Sequence, residues 1–267
     1  MLSDITIGQY FPGESAVHRL DPRFKIIITA FFIAMLFAAD GFIGMGISTV
    51  FVILAFIMSK IPLKLMFKSM KPIIPVILFT AVLNLFFIGG VSVFHIWKIN
   101  VTDEGLRMTA YMMIRIIELI CGSSLLTYTT SPIVLTDAVE SLMSPLKKVR
   151  FPVHELAMMM TIALRFIPTL IEETDKIMSA QKARGADMES GGLVKRAKAL
   201  VPILIPLFVS AFRRAEELAL AMECRCYKGG EGRTRLRSLK SSGADYFALA
   251  VTLLFLAAVF CVNAVTG

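Results

Sequence analysis

The chain has 267 residues, 56% of them hydrophobic, a mean hydropathy of +0.73 and a net charge of +8. That apolar fraction is well above a soluble chain's and excludes the ordinary soluble globular class. The four cysteines build no framework: Cys121 and Cys261 lie in apolar runs, where a thiol is a small hydrophobe, and Cys224-x-Cys226 has no second pair to complete a zinc site.

In chain order, the first twenty residues are polar and carry no cleavable signal, so the first apolar run doubles as the insertion signal. Gly8-x4-Gly13-Glu14-Ser15 has the outline of a phosphate loop, but glutamate stands where lysine must meet phosphate, and nucleotide binding is rejected. Five spans follow, at about 24–39, 42–58, 73–94, 107–127 and 245–263. Inside hydrocarbon every amide must be satisfied within its own segment, so the spans are helices. Asp21-Pro22 caps the first, Arg23 and Lys25 are expected to snorkel to head groups, and Ala30, Ala34 and Ala38 form a small-residue packing row. Lys60, Lys64, Lys68 and Lys71 crowd the link between spans two and three. Lys and Arg collect on the cytoplasmic side, which places the amino terminus inside and the carboxyl terminus outside.

In the fourth span Arg115 and Glu118 lie three apart on one face. Two readings stand, a local ion pair sealing the bundle and a place on a transport path. Gly122-Ser123-Ser124 holds no activated nucleophile, because no histidine lies in a span. Such serines bond their own backbone or a neighbouring helix.

Between spans four and five, 129–243 carries eighteen Lys or Arg against twelve Asp or Glu. It is too long for a connector and reads as three cytoplasmic or interfacial helices. These run over about 133–148, from Val153 to Arg184 and from Leu193 to Tyr227, with kinks expected at Pro168, Pro202 and Pro206. The apolar halves of the two long helices are read as amphipathic rather than spanning. His154-Glu155-x-x-Met158 is one histidine short of a zinc protease helix. Met158, Met159 and Met160 suit either ordinary apolar filling or a partner surface.

Ala183-Arg184-Gly185 ends the second helix and Cys224-Arg225-Cys226 the third. In each, small neighbours leave an arginine free at a helix end whose dipole favours a cation, ready to fork onto a carboxylate. The domain plan is therefore 1–23 as a cytoplasmic segment, 24–128 as four spans, 129–243 as a cytoplasmic helical region with the two arginine motifs and 244–267 as the last span. The fold class is an all-α membrane protein.

With these motifs the chain resembles the transmembrane T component of energy-coupling-factor transporters, of the shared-module type, nearly end to end. Gly-Gln-Tyr-Phe-Pro-Gly-Glu-Ser (8–15) with His-Arg-Leu-Asp-Pro-Arg (18–23) is similar to the family's amino-terminal signature, and Gln-Lys-Ala-Arg-Gly-Ala-Asp (181–187) to its first arginine motif. Cys-Arg-Cys-Tyr-Lys-Gly-Gly-Glu-Gly-Arg-Thr-Arg (224–235) is similar to the second, with cysteines where alanine and glycine are usual. The resemblance implies a non-enzymatic subunit of a prokaryotic plasma-membrane importer, without cofactor, metal or nucleic acid. Its implied partners are two cytoplasmic ABC ATPases, docked through Arg184 and Arg225, an exchangeable vitamin-capturing membrane S component, and membrane lipid. The methionine-bearing faces are expected to meet the S component, which sets the specificity. The competing reading, a permease enclosing its own path, predicts broken helices and convergent polar groups at mid-membrane. Beyond Arg115, Glu118 and Asn84 the chain offers little of that kind.

Overall fold

The computed structural model describes residues 10–87, 92–96, 99–149, 151–186, 192–230 and 239–266. They divide into two compact units, one formed by the described residues of 8–138 and 238–267, the other by those of 139–237.

The first unit opens with the short helix α1 (Ala16–Arg19), followed by α2 (Pro22–Ala38) and α3 (Gly41–Ser59). Asp21 caps α2, its carboxylate accepting from the Arg23 amide at 2.9 Å. Next come α4 (Leu63–Met70), a 3-10 turn over Lys71–Ile73, and α5 (Ile74–Phe87). The lysine-rich link is thus largely helical. Leu63, Met66, Phe67 and Met70 recur at helical spacing with the lysines between them, and the tight turn falls at Pro72, which lacks an amide proton.

The third span, expected to reach residue 94, is helical over Ile74–Phe87, but Ser92–Ile96 is strand rather than helix. Strands β1 (Ser92–Ile96) and β2 (Ile99–Thr102) pair antiparallel, His95 opposite Asn100 and Ile96 opposite Ile99. Alternation at Ile99-Asn-Val-Thr and the β-branched content favour a strand there. The hairpin is an appendage to an all-helical fold. Helix α6 (Asp103–Thr129) follows, capped by Thr102, and α10 (Gly243–Thr266) completes the unit.

Its core gathers Phe32, Met35, Leu36, Met45, Val52, Phe56, Cys121 and Val259 from α2, α3, α6 and α10. Gly122 is required where α2 crosses α6, because a Cβ there would overlap the Phe32 ring. Ala30 and Ala34 face outward, so the small-residue row is not the packing face of α2. Lys25 also departs from expectation. It is buried rather than snorkelling, and its ammonium donates to the carbonyls of His18 (3.1 Å) and Thr129 (2.9 Å) and to Thr130 Oγ1 (3.4 Å). Nearby, Asp245 accepts from the Asp21 amide at 2.7 Å and Phe24 meets Tyr246 edge to face. These contacts bring the starts of α2 and α10 and the end of α6 to one end of the unit. At the other end Asn263 donates to the Ala38 carbonyl, and Gly105 lies against the end of α5. Helices α2 and α10 therefore run parallel.

The second unit takes in the latter part of α7 (Pro132–Leu142), then a 3-10 stretch Ser144–Val149, α8 (Val153–Ala183) and α9 (Leu193–Cys224). Helix α7 ends short of residue 148 because Pro145 cannot continue it. Pro168, Pro202 and Pro206 lie within unbroken helices.

Among the described residues, five helical segments are long and apolar enough to cross a bilayer: Gly41–Ser59, Leu63–Leu85, Asp103–Thr129, Val153–Ala183 and Gly243–Val265. The number matches expectation but the membership differs. Helix α2, with 17 residues and about 25 Å at 1.5 Å each, stands at the lower limit for a span, and α8 is long and apolar enough despite its charged second half.

Candidate functional site

Helices α8 and α9 end in the same device. Arg184 closes α8 as its cap residue, followed by Gly185 at φ +84°. The Gly185 amide donates to the Lys182 carbonyl at 3.0 Å and the Ala186 amide to that of Gln181 at 3.0 Å. Arg225 closes α9, followed by Cys226 at φ +55°, with Cys226 donating to Glu223 at 2.8 Å and Tyr227 to Met222 at 3.0 Å. Both are Schellman motifs, in which a left-handed residue folds the chain back and satisfies the last carbonyls. Ala183, Arg184, Gly185, Cys224, Arg225 and Cys226 are all exposed, and the cysteines are free thiols. Each arginine thus stands at the turning point of a helix, unshielded by its neighbours.

The two helices are antiparallel. Arg214 of α9 meets Glu173 of α8 at 2.8 Å, and Gln181 near the end of α8 reaches Pro202 near the start of α9. Extending that alignment sets the two arginine tips at opposite ends of the pair, roughly 35 Å apart along it. The Gln181 contact has a cause. Because residue 206 is proline, the Pro202 carbonyl has no amide four residues on, and Gln181 Nε2 donates to it at 3.4 Å. Sequence reasoning took these prolines only as kink sites. The i−4 relation of Pro206 to Pro202 was the signal of a vacant acceptor.

Of the methionine run, Met159 and Met160 are exposed at 54% and 51%, while Met158 is half-buried. Helix α9 exposes Leu204, Ile205, Phe208, Val209 and Phe212. The unit therefore presents apolar surface together with the two cationic tips.

Arg115 and Glu118 are not brought together as a pair. The guanidinium donates to the Ala39 carbonyl (3.0 Å) and the Tyr111 hydroxyl and lies over the Tyr111 ring, whereas Glu118 accepts from Thr49. Asn84 stays near the start of α6. Ser123 and Ser124 bond the carbonyls of Leu119 (2.7 Å) and Cys121 (2.9 Å), so neither is a poised nucleophile. His154 pairs with Glu140 at 3.1 Å and packs against Gly230, and no metal-sized cluster occurs among the described residues.

The amino-terminal motif is a clasp. Gly13 lies against the His18 ring, whose Nε2 donates to the Phe11 carbonyl at 3.0 Å, leaving Nδ1 to accept from Ser15 at 2.7 Å. The Phe11 amide in turn donates to the Tyr128 carbonyl at 2.9 Å. Gly8 lies outside the described residues, as do Asp187 of the first arginine motif and residues 231–235 of the second.

A family model described as cobalt transport protein, CbiQ, matches residues 13–236. The chain is similar to the energy-coupling factor transporter transmembrane protein EcfT of Thermosediminibacter oceani, at 56% identity over 94% of this chain and 95% of that protein. It is similar to EcfT of Clostridium kluyveri at 56% over 93% of each chain, and to EcfT of Bacillus subtilis at 48% over 97% of each. Near full-length identity at this level, on a fold of five long apolar helices, places the chain in the family of energy-coupling factor transporter transmembrane components, and it is a multi-pass membrane protein.

Proposed function

We propose that this chain is the non-catalytic coupling scaffold of a vitamin or micronutrient importer, joining two cytoplasmic ABC ATPases to an exchangeable membrane S component. The observation that carries the reading is the duplicated helix end, an exposed arginine capped by the same Schellman turn on both α8 and α9. One such end is an ordinary solvated terminus. Two, facing opposite ways on an antiparallel pair, suit two separate grooves, with Arg184 anchoring one ATPase and Arg225 the other. A forked, desolvated guanidinium is the kind of contact that dominates an interface. ATP-driven closure then shifts α8 against α9, provided the two arrangements differ in affinity for the closed ATPases. The exposed Met159 and Met160, with the apolar face of α9, meet the S component. The coupling region 129–243 faces the cytoplasm, the amino terminus lies inside and the carboxyl terminus outside, as the lysine-rich α4 favours.

Charge reversal tests the docking. Arg184→Glu and Arg225→Glu should each weaken capture of one ATPase by about 3 kcal/mol, on the order of 100-fold, and abolish uptake. Met159→Lys should reduce copurification of the S component and leave both ATPases bound; Met158 is half-buried and less suited to the substitution. Normal uptake by both arginine variants would sink the proposal. Transport by the chain alone in vesicles would favour the permease reading instead.

A further inference from the structure

The first unit holds a cavity of about 300 Å³ unrelated to the arginine tips. It lies among α2, α3, α6 and α10, with Val17 and Leu20 of the amino-terminal clasp at one end and Phe51, Ala55, Phe247 and Val251 along its walls. That volume suits a small ligand site. Its lining is almost wholly apolar, and its few polar members have no proton left to offer. Thr29 donates to the Lys25 carbonyl (2.8 Å), Thr129 to that of Leu125 (2.8 Å) and Thr252 to that of Ala248 (2.9 Å). All three Lys25 ammonium protons are engaged as well.

Two consequences follow from that saturation. The lining can donate no hydrogen bond to an occupant and offers only the threonine hydroxyl oxygens as acceptors, a poor match for a polar metabolite. Such walls also give a water few of the roughly two to four polar partners that it needs. The lining residues Leu54, Met58 and Phe247 are exposed on the outer surface, so the cavity opens sideways from spanning helices, where the medium is hydrocarbon. At the clasp end Arg19, which does not itself line the cavity, lies in sequence between the lining residues Val17 and Leu20. Its side chain is 74% exposed, and its contact with Glu14, 3.8 Å away and 93% exposed, is a loose solvent pair worth little. A cation at the end of an apolar slot opening into a bilayer complements a phosphate joined to a hydrocarbon chain.

We infer that the cavity seats one acyl chain of a phospholipid, with the phosphate at Arg19. The chain completes the packing between α3 and α10 and ties the clasp to the bilayer.

The test uses the full chain in phosphatidylcholine nanodiscs with a trace of phosphatidylglycerol carrying a diazirine on its acyl chain. After irradiation, peptides containing Ala55 and Val251 should be labelled more than that containing Phe79, which is exposed on α5. Added unlabelled phosphatidylglycerol should suppress the cavity labelling about tenfold and leave Phe79 labelling unchanged, as saturable binding requires. Ala55→Trp should fill the cavity and remove its labelling alone. If that variant does not fold, displacement on the native chain still decides. Arg19→Glu should abolish the preference for phosphatidylglycerol over phosphatidylcholine. Non-displaceable labelling equal to that of Phe79 would show ordinary boundary lipid and overturn the site. Labelling by a diazirine fatty acid but not by the phospholipid would overturn the phospholipid, and an unchanged preference in Arg19→Glu would overturn the phosphate contact.

Discussion

Cys226 adopts φ +55°, where a Cβ crowds the following carbonyl and glycine is at no disadvantage. Its counterpart Gly185 meets the same demand without that cost. Cys226→Gly should therefore stabilise the α9 end by about 1 kcal/mol, and Gly185→Ala should destabilise the α8 end by about as much, read as opposite shifts in thermal melting. Docking by Cys226→Gly should survive, since Arg225 remains the cap. The small flanks of both arginines are legible in sequence, whereas the shared left-handed turn needs backbone angles. Arg115 and Glu118 teach the converse. Helical spacing puts them on one face, but the Ala39 carbonyl and Thr49, from other helices, offered each its own partner. Lys25 likewise turned inward because three acceptors of the clasp and the α6 end converge on it.

At the scale of elements, the helix ends that are legible are those set by local chemistry. Asp21-Pro22 starts α2, and Gly185 terminates α8. The hairpin 92–102 was missed because a short apolar run following an apolar helix reads as more helix. The proline-made vacancy in α9 is an element-level device. Pro206→Ala should return an amide to the Pro202 carbonyl, raise the melting temperature through a helix gain of up to about 3 kcal/mol, and release Gln181. Uptake should fall if that tether positions the Arg184 tip. Gln181→Leu should reduce uptake without raising the melting temperature, and full uptake by both variants would remove the tether from the account.

For the whole molecule, the parallel course of α2 and α10 makes their orientation a joint property, since Asp21 meets Asp245 at one end and Ala38 meets Asn263 at the other. With the native cysteines replaced, Val265→Cys should react with an impermeant maleimide in intact cells, and Lys240→Cys only after permeabilisation. The reverse pattern would invert the proposed orientation.

The chain by itself determined the membrane class, the helical fold, the two arginine-ended helices and the family resemblance. Those rest on composition, period and local turn chemistry, which act over a few residues. Tertiary structure decided which helix faces are inside, that Lys25 is buried rather than snorkelling, and that the arginine tips lie at opposite ends of their pair. Those outcomes depend on contacts between residues far apart in sequence, such as Glu173 with Arg214 and Gln181 with Pro202, whose pairing no local pattern encodes.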